Sequence, residues 1–288
     1  MNTSKSDPRC ALVEEAIRDL DRKAIPASIT TGNRFVDHNL YGFEGYGVHF
    51  LCGHRKVGKT SFILNKVNKV LKRDGSVLYL TSRESAEEIR RKLVLISSGV
   101  ESGSKVEHSA EEKKRLQEAE AFINNAHFTI ETIKGDLVES VFDKCTAKQP
   151  APNLIIIDGN EDIVSTGKSD MERVNKYIGL TAWICKCHIF VLSDIEASGI
   201  KNKRTINMIL RDANPRKIIN RISRDKKIEV GETMLLYRKD YFRAPKEHDS
   251  IASVLISSCA SKSTIVKCDY RYDLSTLSFN RIKEATAH

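Results

Sequence analysis

The apolar positions of this chain follow two periods that alternate along it. Short apolar runs of strand length are separated by longer stretches in which apolar residues recur every three or four positions. Residues 48–52, 76–81, 127–131, 154–158 and 188–192 read as strands. The stretches 61–71, 85–94, 101–126, 137–148 and 171–186 read as the helices between them. Ser85, with Glu88 three residues on, has the form of a capping box and so marks a helix start. Leu154-Ile155-Ile156-Ile157-Asp158 is a continuous apolar run that ends in an acid. That is the form of a central parallel strand delivering a carboxylate to the C-terminal edge of its sheet. Beyond residue 230 the pattern changes, and 233–237, 251–257, 264–270 and 277–279 are strands with no long helix between them. The predicted fold class is α/β, a mainly parallel sheet flanked by helices with an antiparallel C-terminal extension.

At the N-terminus, Asp7-Pro8 opens a helix whose Leu12, Val13, Ala16, Ile17 and Leu20 form one apolar stripe, and Pro26 ends it. Such a face must be buried, either on its own domain or on a neighbouring molecule. The domain reading is therefore residues 1–26 as an N-terminal extension and 27–288 as one α/β domain.

The first strand runs into Gly53-His54-Arg55-Lys56-Val57-Gly58-Lys59-Thr60, which matches the phosphate-binding pattern G-x-x-x-x-G-K-[ST] at every fixed position. The glycines let the backbone curl so that successive amide N–H groups face inward at the positive end of the following helix. Residues Gly53 to Thr60, with Ser61, are the candidate ATP-binding set. Within it Lys59 reaches the β- and γ-phosphates, and Thr60 with Asp158 holds Mg²⁺. The rival is a structural glycine turn. The strand before the motif and the helix after it weigh against that reading.

Composition adds a partner. The net charge is +9, and residues 201–227 carry ten Lys or Arg against only Asp212 and Asp225. Lys201, Lys203, Arg204, Arg216 and Lys217 are candidate contacts to a single-stranded nucleic-acid backbone, with a merely solvated basic surface as the alternative. No apolar run has the length of a membrane span, and residues 1–8 are too polar for a signal peptide, which predicts a cytoplasmic protein. The seven cysteines show no C-x-x-C spacing and read as free thiols. Cys185, Cys187 and His188 lack a nearby fourth ligand for a metal.

The order of motifs resembles the C-terminal RecA-like ATPase domain of DnaB-type replicative DNA helicases, over nearly the whole chain. The resemblance rests on the helix at 12–20, Thr31-Gly32 and Gly42, on Lys59-Thr60-Ser61-Phe62, on 154–158 and on Leu192-Ser193. It narrows at Leu235-Leu236-Tyr237-Arg238-Lys239-Asp240-Tyr241-Phe242. It implies a homo-oligomeric ring, usually a hexamer, with nucleotide between subunits, single-stranded DNA in a basic channel and replication proteins as partners. The 12–20 helix would then be a linker helix that packs on the neighbouring subunit. Three departures bear on hydrolysis. Arg83 stands where the family has its catalytic glutamate, and a guanidinium accepts no proton. The clock-protein branch has two glutamates there, and Glu84 matches the second, which makes it the candidate base. Asp194 replaces the γ-phosphate-sensing glutamine, and an anion repels phosphate unless it is protonated or paired with a cation. Ser257 and Cys259 align with the lysine and arginine that the family inserts into the neighbouring site, with Lys262 nearby. The expectation is an ATP- and Mg²⁺-binding, helicase-like protein of DNA replication whose hydrolysis is weak or altered. The alternatives are a nucleotide-switched ring-assembly protein without unwinding activity and a clock- or recombinase-type ATPase.

Overall fold

The computed structural model describes residues 46–101, 108–164, 171–194, 232–238, 249–258 and 265–282. The 12–20 helix, most of the connector that follows it, the 201–227 basic segment, Lys239 to Phe242, Cys259 and Lys262 lie outside the described residues.

Strand and helix alternate as the periodicity predicts. The order is β1 (Gly47–Gly53), α1 (Lys59–Leu71), β2 (Val77–Thr81), α2 (Ala86–Ser98), α3 (Ala110–Asn125), β3 (Phe128–Thr132), α4 (Val138–Thr146) and β4 (Leu154–Asp158). A single 3₁₀ turn (Asn160–Asp162) then leads to α5 (Met171–Cys185), β5 (His188–Asp194), β6 (Glu232–Arg238), β7 (Asp249–Ser258), β8 (Ile265–Asp273) and β9 (Ser278–Arg281). The strands form one sheet in the order β3-β2-β4-β5-β1-β6-β7-β8-β9. From β3 to β6 every pair is parallel, and from β6 to β9 every pair is antiparallel.

Two helix boundaries differ from the sequence reading for identifiable reasons. The helix opened by the Ser85–Glu88 capping box continues to Ser98, because Leu95 and Ile96 remain on its buried face and Gly99 closes it at φ 63°. The charged helix begins at Ala110 rather than 101. The Ser109 hydroxyl accepts a hydrogen bond from the Glu112 amide, and the Glu112 carboxylate accepts one from the Ser109 amide, so a second capping box sets the start.

Alternation along the strands sorts side chains to two faces. Leu51, Tyr79, Leu154, Ile156, Phe190 and Leu192 pack with the helices α1, α2 and α3. Phe50, Leu78, Leu80, Ile155, Ile157, Ile189 and Val191 pack with α4 and α5 on the other side. The same count of two carries on to the strand ends. Gly53, Thr81, Asp158 and Asp194 each stand two residues beyond an α1-facing position, so all four emerge on the α1 side of the C-terminal edge. Register aligns them, with Thr81 opposite Asp158, Asp158 opposite Leu192 and Gly53 opposite Asp194.

No helix among the described residues is long and apolar enough to cross a membrane. Among the described residues no three His, Cys, Asp or Glu side chains are grouped to hold a metal. Cys185 donates from Sγ to the Cys145 carbonyl at 3.8 Å. His188 pairs with His49 across β5 and β1, Nδ1 to Nε2 at 3.0 Å.

Candidate functional site

The phosphate loop fills the step from β1 to α1, where the backbone makes two left-handed turns, at Lys56 (φ 60°) and Gly58 (φ 108°). Gly53 has no room for a side chain. A Cβ there would lie 2.8 Å from the Leu236 carbonyl oxygen of β6 and 2.9 Å from Val57 Cγ1. The C-terminal hairpin braces the far side of the loop. Asn65 Nδ2 donates to the Leu277 carbonyl at 2.9 Å, the Tyr272 hydroxyl lies 3.4 Å from Ser61 Oγ, and the stacked Tyr272 and Phe279 rings lie against Gly58. The antiparallel extension thus supports the loop that the parallel half supplies.

Lys59 points into the loop and is nearly buried, with 8% of its side chain exposed. Its Nζ donates to the Gly53 carbonyl at 3.0 Å, the His54 carbonyl at 2.8 Å and Asp194 Oδ1 at 2.8 Å. All three donors of the ammonium are occupied. Asp194 Oδ2 accepts from Arg83 Nη1 at 2.7 Å and from Arg55 Nε at 3.0 Å. Burial alone would push the Asp194 carboxyl up, but the hydrogen bond and charge of Lys59, followed by those of Arg83, hold it down to about 2. The cation pairing needed at this position is therefore present in the same chain.

Asp158 lies beside the first residue of α1 beyond the lysine. Thr60 Oγ1 donates to Asp158 Oδ2 at 3.3 Å, and the buried Tyr79 hydroxyl donates to the same oxygen at 3.0 Å. Burial raises the Asp158 carboxyl, and the Tyr79 hydrogen bond and Arg83 charge work against it. A hydroxyl and a carboxylate converging at a helix N-terminus are hard oxygen donors of the kind Mg²⁺ takes together with phosphate oxygens. The donor set, and a loop whose turns depend on the missing Cβ of Gly53 and Gly58, therefore fit a magnesium-bound nucleoside triphosphate.

The two residues after Ser82, which follows β2, diverge. Arg83 turns toward the loop, where it pairs with Asp194, with Glu161 of the 3₁₀ turn, and at 3.8 Å with Asp158 Oδ1. Glu84 turns along the sheet edge, and both of its carboxylate oxygens accept from Lys92 Nζ of α2, at 2.5 and 2.6 Å. The candidate base is thus engaged by a lysine, while the guanidinium lies beside Asp158. Ser257 is on β7 opposite Thr233. The proposed nucleic-acid contacts Lys201, Lys203, Arg204, Arg216 and Lys217 lie outside the described residues.

Sequence reasoning missed Tyr79, Glu161 and Lys92. Tyr79 carried a usable signal, since a phenol inside an apolar strand needs a partner for its hydroxyl. Glu161 and Lys92 follow no motif spacing; the β2–β4 register brings Glu161 to Arg83, and the first turns of α2 bring Lys92 to Glu84.

Comparison with known proteins gives consistent matches. A model of the DnaB-like helicase C terminal domain family matches residues 28–183. The chain is similar to the replicative DNA helicase DnaC of Bacillus subtilis (strain 168), at 21% identity over 248 residues, covering 82% of this chain and 53% of that protein. It thus spans about half the length of this curated relative. Among solved structures it is similar to an ATPase domain, with TM-score 0.70 and 17% identity over 98% of this chain and 100% of that one. It is also similar to a DnaB-like replicative helicase studied for its interactions with primase, with TM-score 0.68 and 16% identity over 98% of this chain and 68% of that one. RadB recombinase is more distant, with TM-score 0.52 and 12% identity over 88% of this chain and 100% of that one. At these identities the structures establish the fold, a RecA-like sheet with antiparallel C-terminal strands.

Proposed function

The chain belongs to the DnaB-like helicase C-terminal domain family, and on that premise we propose that it binds ATP with Mg²⁺ and acts on single-stranded DNA in a replicative-helicase-like role. The observation that carries this reading is the convergence of the phosphate loop, Lys59, Thr60 and Asp158 at one sheet edge. In it the loop amides and Lys59 bind phosphate, and Thr60 with Asp158 orients the metal. Mg²⁺ held there would neutralise phosphate charge. The protein works as a ring, a hexamer in the family's usual form, with replication proteins such as a primase as partners. Its basic 201–227 segment contacts the nucleic-acid backbone.

A second reading is favoured by one specific observation. Arg83 sits among the phosphate-binding groups while Glu84 is held by Lys92, an arrangement that supports tight nucleotide binding with slow hydrolysis. On this reading the protein is a nucleotide-switched ring-assembly factor that does not unwind DNA. Steady-state ATP turnover measured with and without single-stranded DNA separates the two. DNA-stimulated turnover of roughly tens per second, within the ordinary enzyme range, supports the motor, and nucleotide binding with little turnover supports the switch. Nucleotide affinity by calorimetry that is equal for the wild type and Lys59→Ala would refute the site itself.

A further inference from the structure

We infer that Arg83 binds the γ-phosphate from within the same chain, and that Asp194 is the internal anion this phosphate displaces. The inference rests on the ATP-binding reading above. The lysine of a phosphate loop serves the β- and γ-phosphates. Here two of its three donors are held by loop carbonyls and the third by Asp194 Oδ1. Asp194 therefore occupies the donor that a phosphate oxygen must take.

The other Asp194 oxygen collects Arg83 and Arg55, so a single buried carboxylate gathers three cations, as a phosphoryl group would. The cluster is balanced. Lys59, Arg55 and Arg83 face the carboxylates of Asp194, Asp158 and Glu161. A magnesium triphosphate adds net negative charge to this balanced set, which places it in competition with Asp194 for Lys59 and Arg83.

Arg83 is the cation suited to take the new phosphate. Its planar fork matches phosphate oxygens, and it already spans the Lys59 partner and the Asp158 carboxylate. Its side chain is partly open to solvent, at 26%, whereas Asp194 is at 3%, so the guanidinium can turn toward an incoming group without unfolding the loop. The rival is that Arg83 only neutralises Asp194. The two differ in whether Arg83 distinguishes triphosphate from diphosphate.

Calorimetric titration with Mg-ATP and Mg-ADP tests this on the full chain. Asp194→Asn should tighten ATP by about tenfold or more and ADP by less, because a charge that competes at contact distance is removed. Adding Arg83→Met to Asp194→Asn should weaken ATP by about tenfold or more and leave ADP within about twofold, since the loss of charge-assisted contacts falls on the γ-phosphate alone. Glu161→Gln, on the exposed side of Arg83, should raise the ATP preference in the same direction without touching the buried pair. An ATP-to-ADP affinity ratio that stays the same across the wild type and all three variants overturns the role of Arg83 and leaves the ATP site standing. Failure of the folded wild type and of Asp194→Asn to bind either nucleotide overturns the ATP-binding reading and this inference together.

Discussion

Replacing Asp194 by Asn should destabilise the protein without nucleotide at neutral pH and remove part of its sensitivity to acid. Burial opposes ionisation of Asp194, yet Lys59 and then Arg83 bring its carboxyl down to about 2, against an ordinary Asp value of about 3.9. The folded value lies below the unfolded one. The group therefore stabilises the fold above the unfolded value, and that stabilisation is lost as pH falls toward the folded value. A gap of roughly 2 units at about 1.4 kcal/mol each is worth about 2–3 kcal/mol at pH 7, with about half of it gone by pH 3. Both side chains of the Lys59–Asp194 pair are nearly buried, at 8% and 3%, so solvent screening removes little of it. In the variant Lys59 keeps two carbonyl acceptors and Arg83 keeps Glu161. The loss then stays near the linkage figure rather than rising to the larger penalty of an orphaned buried charge. Urea unfolding of wild type and Asp194→Asn at pH 7, 5, 4 and 3 reads this directly. Wild type should lead by about 2–3 kcal/mol at pH 7 and by about half that at pH 3. Equal stability at pH 7, or a gap that does not narrow with acid, would refute the assignment of the ion pairs as its cause.

Gly53→Ala places a methyl 2.8 Å from the Leu236 carbonyl, a backbone atom fixed in the sheet, and should cost about 1–3 kcal/mol in urea unfolding while weakening nucleotide binding. Gly99→Ala meets no atom within 4 Å at φ 63°, so it should cost about 1 kcal/mol of backbone strain and leave nucleotide affinity alone; affinity unchanged in both variants would show that the loop tolerates displacement. Glu84→Gln should lower residual ATP turnover by about a hundredfold if this carboxylate is the base, and Lys92→Ala, which releases it, should raise turnover; a Glu84→Gln enzyme with full turnover removes Glu84 from the chemistry. For the basic segment, affinity for single-stranded DNA should fall with salt with a slope of about −0.7 per phosphate neutralised and little dependence on base sequence. Replacing Lys201, Lys203 and Arg204 by Ala should weaken binding and flatten that slope, and an unchanged slope would show that these residues do not touch phosphates.

The elements are legible in the sequence because a sheet buried on both faces leaves a strong mark there. β4 can be read at the residues where it lies, Leu154–Asp158, since an uninterrupted apolar run of strand length ending in an acid has few other uses. The phosphate loop is legible for a different reason: its function lies in backbone shape, and Gly53, Gly58 and Lys59 must fall at fixed spacing to make it. Contacts set by register leave no such mark. His49 meets His188 and Tyr79 meets Asp158 because β1, β2, β4 and β5 align as they do. Arg83 and Asp194 carry the point furthest. Taken singly along the chain, one removes a base and the other sets an anion beside a phosphate, so each reads as a loss of function. They are 111 residues apart, yet 2.7 Å separates their charged atoms once β2, β4 and β5 end at one edge. Each adds a counter-charge to the other within one cluster that also holds Lys59, Asp158 and Glu161. The two departures are therefore one ion pair, and a variant that changes either must be judged by what it does to both.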